Sequence, residues 1–239
     1  MKELLSYQYQ AYRRSNKYIM PLITYLFYLG ASYQVRPLSI VASLVLSFGT
    51  LYFIMVWIGF SYGEVIDPVE EQLLLLKIRS AARYYRSKVV FIGIVGMTFS
   101  LIGVMYAFLC NIANGFALFK RALTLEDVAW GFLLHCAAAF LGGMIGLMMH
   151  PRVLKDRKAA VVLAFAIAVM GYAKGPLQSD LPFTQLFTWC FPPLYELFHS
   201  ISGEEYFYLH KMLFPLIYVV IYTLVLTLIH IQTMKRKGF

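Results

Sequence analysis

The sequence predicts an all-α integral membrane protein of six transmembrane helices, on three observations. The chain has 239 residues, 60% of them hydrophobic, and a mean hydropathy of +0.67. A water-soluble core of that length cannot enclose so much apolar surface. Only 14% of the residues are charged, against about 25% in soluble domains. The basic residues gather in short segments between long apolar runs, as positive-inside sorting requires. Cys110, Cys136 and Cys190 form no paired spacing, so neither a disulfide framework nor a zinc site is expected. The opening stretch MKELLSYQYQAYRRSNK lacks an apolar core followed by a small-residue cleavage site, so a cleaved signal peptide is not expected.

A span needs about 20 mostly apolar residues. The first, 18–33, tolerates Pro21 near its start and ends at the turn Gln34-Val35-Arg36-Pro37. The second is 38–62 and the third 89–116. Lys120-Arg121 and Glu126-Asp127 separate the third from the fourth, 128–150. A charged stretch, 152–158, precedes the fifth, 159–173. The sixth is 212–232, followed by Lys235-Arg236-Lys237. Residues 174–211 are rich in Phe, Leu, Trp and Tyr but are cut by Pro176, Pro182 and Pro192-Pro193. No uncut piece reaches membrane length, so short helices dipping into the outer leaflet, or an aromatic interfacial loop, are expected there.

Orientation follows from the lysines and arginines. With a cytoplasmic N-terminus, the inner segments hold 16 of the 21 basic residues and the outer segments only Arg36, Lys120, Arg121, Lys174 and Lys211. This bias predicts that both termini are cytoplasmic.

The segment 63–88 then lies on the cytoplasmic side. It contains nine charged residues around the run Leu73-Leu74-Leu75-Leu76. Asp67 is placed to cap a helix by accepting from the Glu70 amide. Pro68 suits the first helical position, and Glu70 completes a capping-box spacing and favours the positive end of the helix dipole. On a wheel Leu74, Ile78, Ala81 and Tyr85 share one face, with Arg79, Arg83 and Arg86 opposite. One amphipathic helix, or two in series, is expected at the inner surface. Anionic headgroups attract the basic part but repel Glu64, Asp67, Glu70 and Glu71, so a protein partner suits the acidic start better than lipid alone.

Several chemistries are excluded or weakened. No G-x-x-x-x-G-K-[ST], H-E-x-x-H or G-x-S-x-G is present, so no P-loop, zincin or nucleophile-elbow chemistry is expected. The span interiors contain no Asp or Glu, which argues against an ion-coupled carrier. His135 alone among the five histidines lies well inside a span, where it reads as a residue bonding a neighbouring helix. Gly142-x-x-x-Gly146, with Ala137-Ala138-Ala139, and Gly93 with Gly96 predict close helix contact within the chain, or a dimer seam second. Phe48, Tyr52, Met55, Gly59 and Tyr62 recur at helical spacing in the second span. Such a stripe reads as packing, or as the lining of a path for an amphipathic solute.

The order of these elements resembles the ABC-2 type permease family over nearly the whole chain, mainly as architecture. The segment DPVEEQLLLLKIRSAARYYRSKVVF is similar to the stretch in which an acidic, leucine-rich coupling helix leads into the third span. The resemblance implies one transmembrane domain over 1–239. Residues 1–17 would be an interfacial connecting helix, and 18–62 the first two spans. Residues 63–88 would be the coupling loop, 89–173 spans three to five, 174–211 the re-entrant segment, and 212–239 the last span and tail. It implies a permease dimer, more readily a homodimer, above two copies of a separate ATPase that carries ATP and Mg; this chain itself would hold no cofactor, no metal and no catalytic residue. Asp67, Glu70, Glu71, Leu74, Lys77 and Ile78 would contact the ATPase, and Phe48, Tyr52 and Met55 would line the substrate path. The small size and lack of a large outer domain resemble bacterial permeases for amphipathic peptides, such as phenol-soluble modulin exporters and lantibiotic immunity transporters. A multi-pass protein of the bacterial plasma membrane, in contact with lipid and with an amphipathic peptide or lipophilic solute but no nucleic acid, is the implied setting. An ATP-independent carrier or channel is the alternative.

Overall fold

A computed structural model describes residues 1–78, 80–151, 153–154 and 156–237, the side chains of Pro182 and Lys237 excepted. The described residues form α1 (Lys2–Ser15), α2 (Ile19–Ser32), α3 (Ile40–Gly63), α4 (Pro68–Ile78), α5 (Ala81–Ala113), α6 (Leu125–Met148), α7 (Arg157–Asp180), a 3-10 turn (Pro182–Thr184), α8 (Gln185–Thr188), α9 (Leu194–Ile201) and α10 (Leu209–Lys237). The protein is therefore all-helical in its regular structure. Five helices, α3, α5, α6, α7 and α10, are long and apolar enough to cross a membrane.

The first expected span, 18–33, is not among the five. Its helix α2 has 14 residues, about 21 Å at 1.5 Å per residue, against a hydrocarbon core of about 30 Å. The turn before Pro37 stops it at Ser32. Even so, the chain from Lys17 to Tyr33 runs beside α3 from one end to the other. Lys17 Nζ donates to the Glu64 carbonyl at 3.0 Å, and the Tyr33 ring meets Phe119, beyond the other end of α3, at 6.4 Å.

Other boundaries also move. The helix that carries the third span begins at Ala81, eight residues before Val89, because Ser80 accepts from the Arg83 amide and caps it. At 33 residues α5 is about 50 Å long, so its basic first turns extend past the hydrocarbon. Thr124 and Asp127 close a capping box that starts α6. The fifth helix runs through Pro176 to Asp180, whereas the sequence pattern ended it at 173. A proline this near a helix end disrupts only the last turns. Between α7 and α10 the proline-cut segment holds the 3-10 turn, α8 and α9, all short.

The centre of the bundle is the α3–α6 pair. A Cβ on Gly146 would stand 2.1 Å from the Val56 carbonyl oxygen, and one on Gly142 would stand 2.3 Å from that of Tyr52. Gly59 answers from α3, where a Cβ would meet the Gly143 carbonyl at 2.2 Å. The G-x-x-x-G thus serves contact within the chain, the first of its two expected uses. α5 packs on the other side of α6, with Gly96 against Ala139, and Phe198 of α9 stacks on Phe48 of α3 at 5.1 Å between ring centroids. α7 and α10 are buried far less than α3 or α6, and they turn Val162, Val169, Phe214 and Leu228 outward.

The end of the bundle away from α4 is tied by Arg121. It donates to both Asp127 carboxylate oxygens at 2.7 Å, to the Glu205 carbonyl from two nitrogens, and to the Ala122 carbonyl. Its guanidinium also lies 4.2 Å from the Tyr206 ring centroid. Leu38 pairs there with the 118–120 strand of backbone, donating to Leu118 and accepting from Lys120.

A branched side chain in the seam forces the two helices apart. Gly146→Val and Gly142→Val are expected to lower the thermal midpoint of the purified protein, each by the equivalent of about 1–3 kcal/mol or more. Gly93→Ala, where the nearest atom is 3.5 Å from the added carbon, should stay close to wild type in the same thermal scan.

Candidate functional site

The segment that the sequence singles out becomes α4, an 11-residue helix at the end of the bundle where α3 stops and α5 starts. Asp67 and Pro68 begin it as expected, with one difference: the Asp67 carboxylate accepts from the Val69 amide at 2.8 Å, not from Glu70. Glu70 turns instead to α1 and accepts the Tyr7 hydroxyl. Burial, reinforced by this carboxylate, pushes the Tyr7 phenol up to about 12, so Tyr7 remains a donor. Two helices in series, not one, make up the loop. Leu74, Ile78, Ala81 and Tyr85 still meet, because α4 folds back on α5 around Leu75, Tyr84 and Met234.

The sides of α4 differ sharply. Val69, Leu73 and Leu76 are 64%, 63% and 64% exposed, and Asp67, Glu70 and Lys77 are exposed beside them. Leu74 and Ile78 are half-buried. Glu71 faces the other way and is 1% exposed. Its Oε1 accepts from Lys88 Nζ of α5 at 2.6 Å, and His150 Nε2, just past α6, lies 3.7 Å from the same oxygen. Lys88 also sits 5.0 Å from the Tyr84 ring centroid. Glu71, placed by the sequence among the residues facing a separate ATPase, is thus turned into the bundle. Its carboxylate is spent inside the chain, joining α4 to α5 and to the end of α6. Removing two charges from water is costly, and close ion pairing with further polar contacts is what makes it tolerable. Arg79, expected opposite the apolar face, lies outside the described residues.

Phe48, Tyr52 and Met55 are all 0% exposed. Phe48 is held between Phe198 and the His135 ring, and the Tyr52 hydroxyl points at the Ala168 carbonyl of α7, 3.4 Å away. Met55 lies against the glycines of α5 and α6. In the single chain these three are packing residues at the α3 core and do not face an open path. His135 is likewise a bonding residue. Its Nδ1 lies 2.6 Å from the Gly131 carbonyl, which can only accept, so Nδ1 carries the proton and Nε2 accepts from Ser47 Oγ at 2.9 Å. Ser47 can in turn accept from Tyr25 at 3.3 Å, which ties α2, α3 and α6 together.

Sequence reasoning missed three groups. Lys88 counted only as one inner cation, and His150 as a structural histidine; a lysine directly abutting an apolar run is the one signal that marked the first. Lys174 was placed outside the spans, but it is 5% exposed on α7 and pairs with Glu196 of α9. A lone cation in an otherwise apolar helix was its signal, while its partner 22 residues on left none. Among the described residues no three His, Cys, Asp or Glu side chains converge on a metal site.

Compared with family models, with curated proteins and with solved structures, the chain matches none.

Removing one member of the buried pair strands the other. Glu71→Ala and Lys88→Ala are each expected to destabilise the fold by about 3–5 kcal/mol. The double replacement should cost less than the sum of the two, as a double-mutant cycle on unfolding midpoints would read.

Proposed function

We propose that this chain is the membrane subunit of an ATP-driven exporter, working as a dimer above two separate ATPase subunits. It moves an amphipathic or lipophilic solute, a peptide foremost, out of a bacterial cell across the plasma membrane. The observation that carries the reading is the two-sided α4. Its outer side offers an acidic start and three uncovered aliphatic side chains to a partner. Its inner side is fastened to the bundle by Glu71 and Lys88. A partner that moves α4 therefore pulls on α5 and on the end of α6 through a short, strong, desolvated contact. Helix movement then opens and closes the solute path by turns, and binding linkage requires that the solute alter ATP turnover in return. Docking is reassigned to Asp67, Glu70, Lys77, Val69, Leu73 and Leu76, with Leu74 and Ile78 packing beneath them.

The test is co-purification with an ATPase subunit co-expressed from a reading frame adjacent to this chain's, should one carry a P-loop, followed by solute-stimulated ATP hydrolysis. Glu70→Lys and Leu73→Asp should each reduce complex formation and stimulation at least tenfold, and Leu73→Asp, at an exposed side chain, should do so without changing the thermal midpoint of the isolated chain. A complex that forms equally well with both variants refutes the docking assignment.

The buried pairs Glu71–Lys88 and Lys174–Glu196 favour a second reading, a carrier coupled to an ion gradient, since ionisable groups in such places commonly serve transport. That reading expects flux into liposomes without ATP, abolished by Lys174→Met. Flux that depends on the ATPase and survives Lys174→Met excludes it.

A further inference from the structure

A groove of about 290 Å³ lies where α1 and the start of α2 meet α5. Its mouth carries Tyr9, Arg13 and Tyr18, and its floor runs along Phe91, Ile94 and Thr98 towards Phe99. A second hollow, lined by Ser6, Gln10 and Arg14, adjoins the mouth at Tyr9 and Arg13. The groove is thus graded, with two guanidinium groups and two phenols at one end and aliphatic and aromatic carbon at the other. No carboxylate lines it, and neither Arg13 nor Arg14 has an ion-pair partner among the described residues.

Its place in the bundle fixes the direction of the gradient. Gln8 donates to Ser87 at 2.7 Å, and the Tyr12 ring meets Phe91 at 5.6 Å. The basic mouth therefore stands level with the first apolar turns of α5, where the bilayer surface falls, and the tyrosines suit that depth. From Phe91 to Phe99 the floor extends eight residues, about 12 Å, most of one leaflet's share of a hydrocarbon core of about 30 Å. Ile94 and Thr98 are exposed along it, open to the bilayer.

We infer that this groove seats one anionic phospholipid of the leaflet on the α1 side, its phosphate at Arg13 and Arg14 and an acyl chain along Ile94 and Thr98. A positive mouth whose guanidinium groups form no ion pair among the described residues, Glu70 lining only the far side of Arg14, selects the negative headgroup, and the length and polarity of the floor select a chain that enters from the membrane surface. A peptide helix would need a wider trough, and a free anion would leave the apolar floor unfilled. The site stands independently of the exporter reading.

The full chain, purified in detergent, would be titrated with phosphatidylglycerol or phosphatidylcholine, and bound lipid counted by native mass spectrometry. Wild type should retain one phosphatidylglycerol in preference to phosphatidylcholine. Arg13→Gln should lower that preference about fivefold, from the attraction typical of one basic residue at an anionic surface. Arg13→Lys should keep most of it, and Arg36→Gln, at the opposite end of the bundle, all of it. Thr98→Trp, which fills the floor, should remove the retained lipid whatever its headgroup, and it reads the site even if Arg13→Gln fails to fold. Equal retention of the two lipids by wild type overturns the assignment, as does a preference untouched by both Arg13→Gln and Thr98→Trp. A Thr98→Cys variant that forms a disulfide between two copies also overturns it, because the groove is then a seat for protein.

Discussion

Backbone-to-backbone contact between α3 and α6 is the constraint on which the rest of the structure depends. In a bilayer the lipid tails are as apolar as the side chains they replace, so helices gain little from hiding grease and associate through close packing and polar contacts. Gly59, Gly142 and Gly146 let two main chains touch directly. The other long helices, with α2 and α9, attach to one or other member of that pair. α2 joins α3 through Tyr25 and Ser47, α9 through Phe198, and α7 through the Tyr52 hydroxyl. α5 and α10 lie against α6. His135 adds a buried hydrogen bond across the same interface, which favours one register of the two helices over its neighbours.

The α4 end is organised differently, by polar contacts between short elements. Tyr7 holds Glu70, Gln8 holds Ser87, Lys17 reaches the Glu64 carbonyl, and Glu71 holds Lys88. α1 and α4 are thereby fastened to the bundle while keeping outward faces of their own. Ser80, extended, caps α5 and interrupts the helix after α4, so α4 is joined to α5 through side chains and not as a continuous helical rod. Placing a carboxylate, a lysine and a histidine at that junction makes its geometry exacting, because small separations cost much where solvent is excluded.

The sequence was most legible where the determinant is local. Five of the six expected spans correspond to long helices, because apolar run length decides them. The start of α4 at Asp67-Pro68 was readable from cap chemistry, which involves only adjacent residues. The start of the third span was set at Val89 because Arg83, Arg86 and Lys88 read as part of a separate helix at the membrane surface, whereas helix formation does not end where hydrocarbon does. The fifth was ended too early because Lys174 and Pro176 read as breakers, and the partner that accommodates Lys174 lies on another helix. The direction in which Glu71 points depends on how α4 folds back on α5, so Glu70 and Glu71 looked equivalent in the sequence although one is bonded to α1 and the other is sealed in the bundle. For Phe48, Tyr52 and Met55 periodicity could mark an internal stripe but could not say whether neighbours fill the space in front of it.

Arg121 has a further consequence. Every N–H of its guanidinium is already engaged, by Asp127, by the Glu205 carbonyl and by the Ala122 carbonyl. Such a saturated cation has nothing left to offer a passing anion, so its positive charge acts as mortar and not as bait. The turn after α5, the start of α6 and the linker into α10 are cemented at one point, so the three cannot shift apart without breaking these bonds.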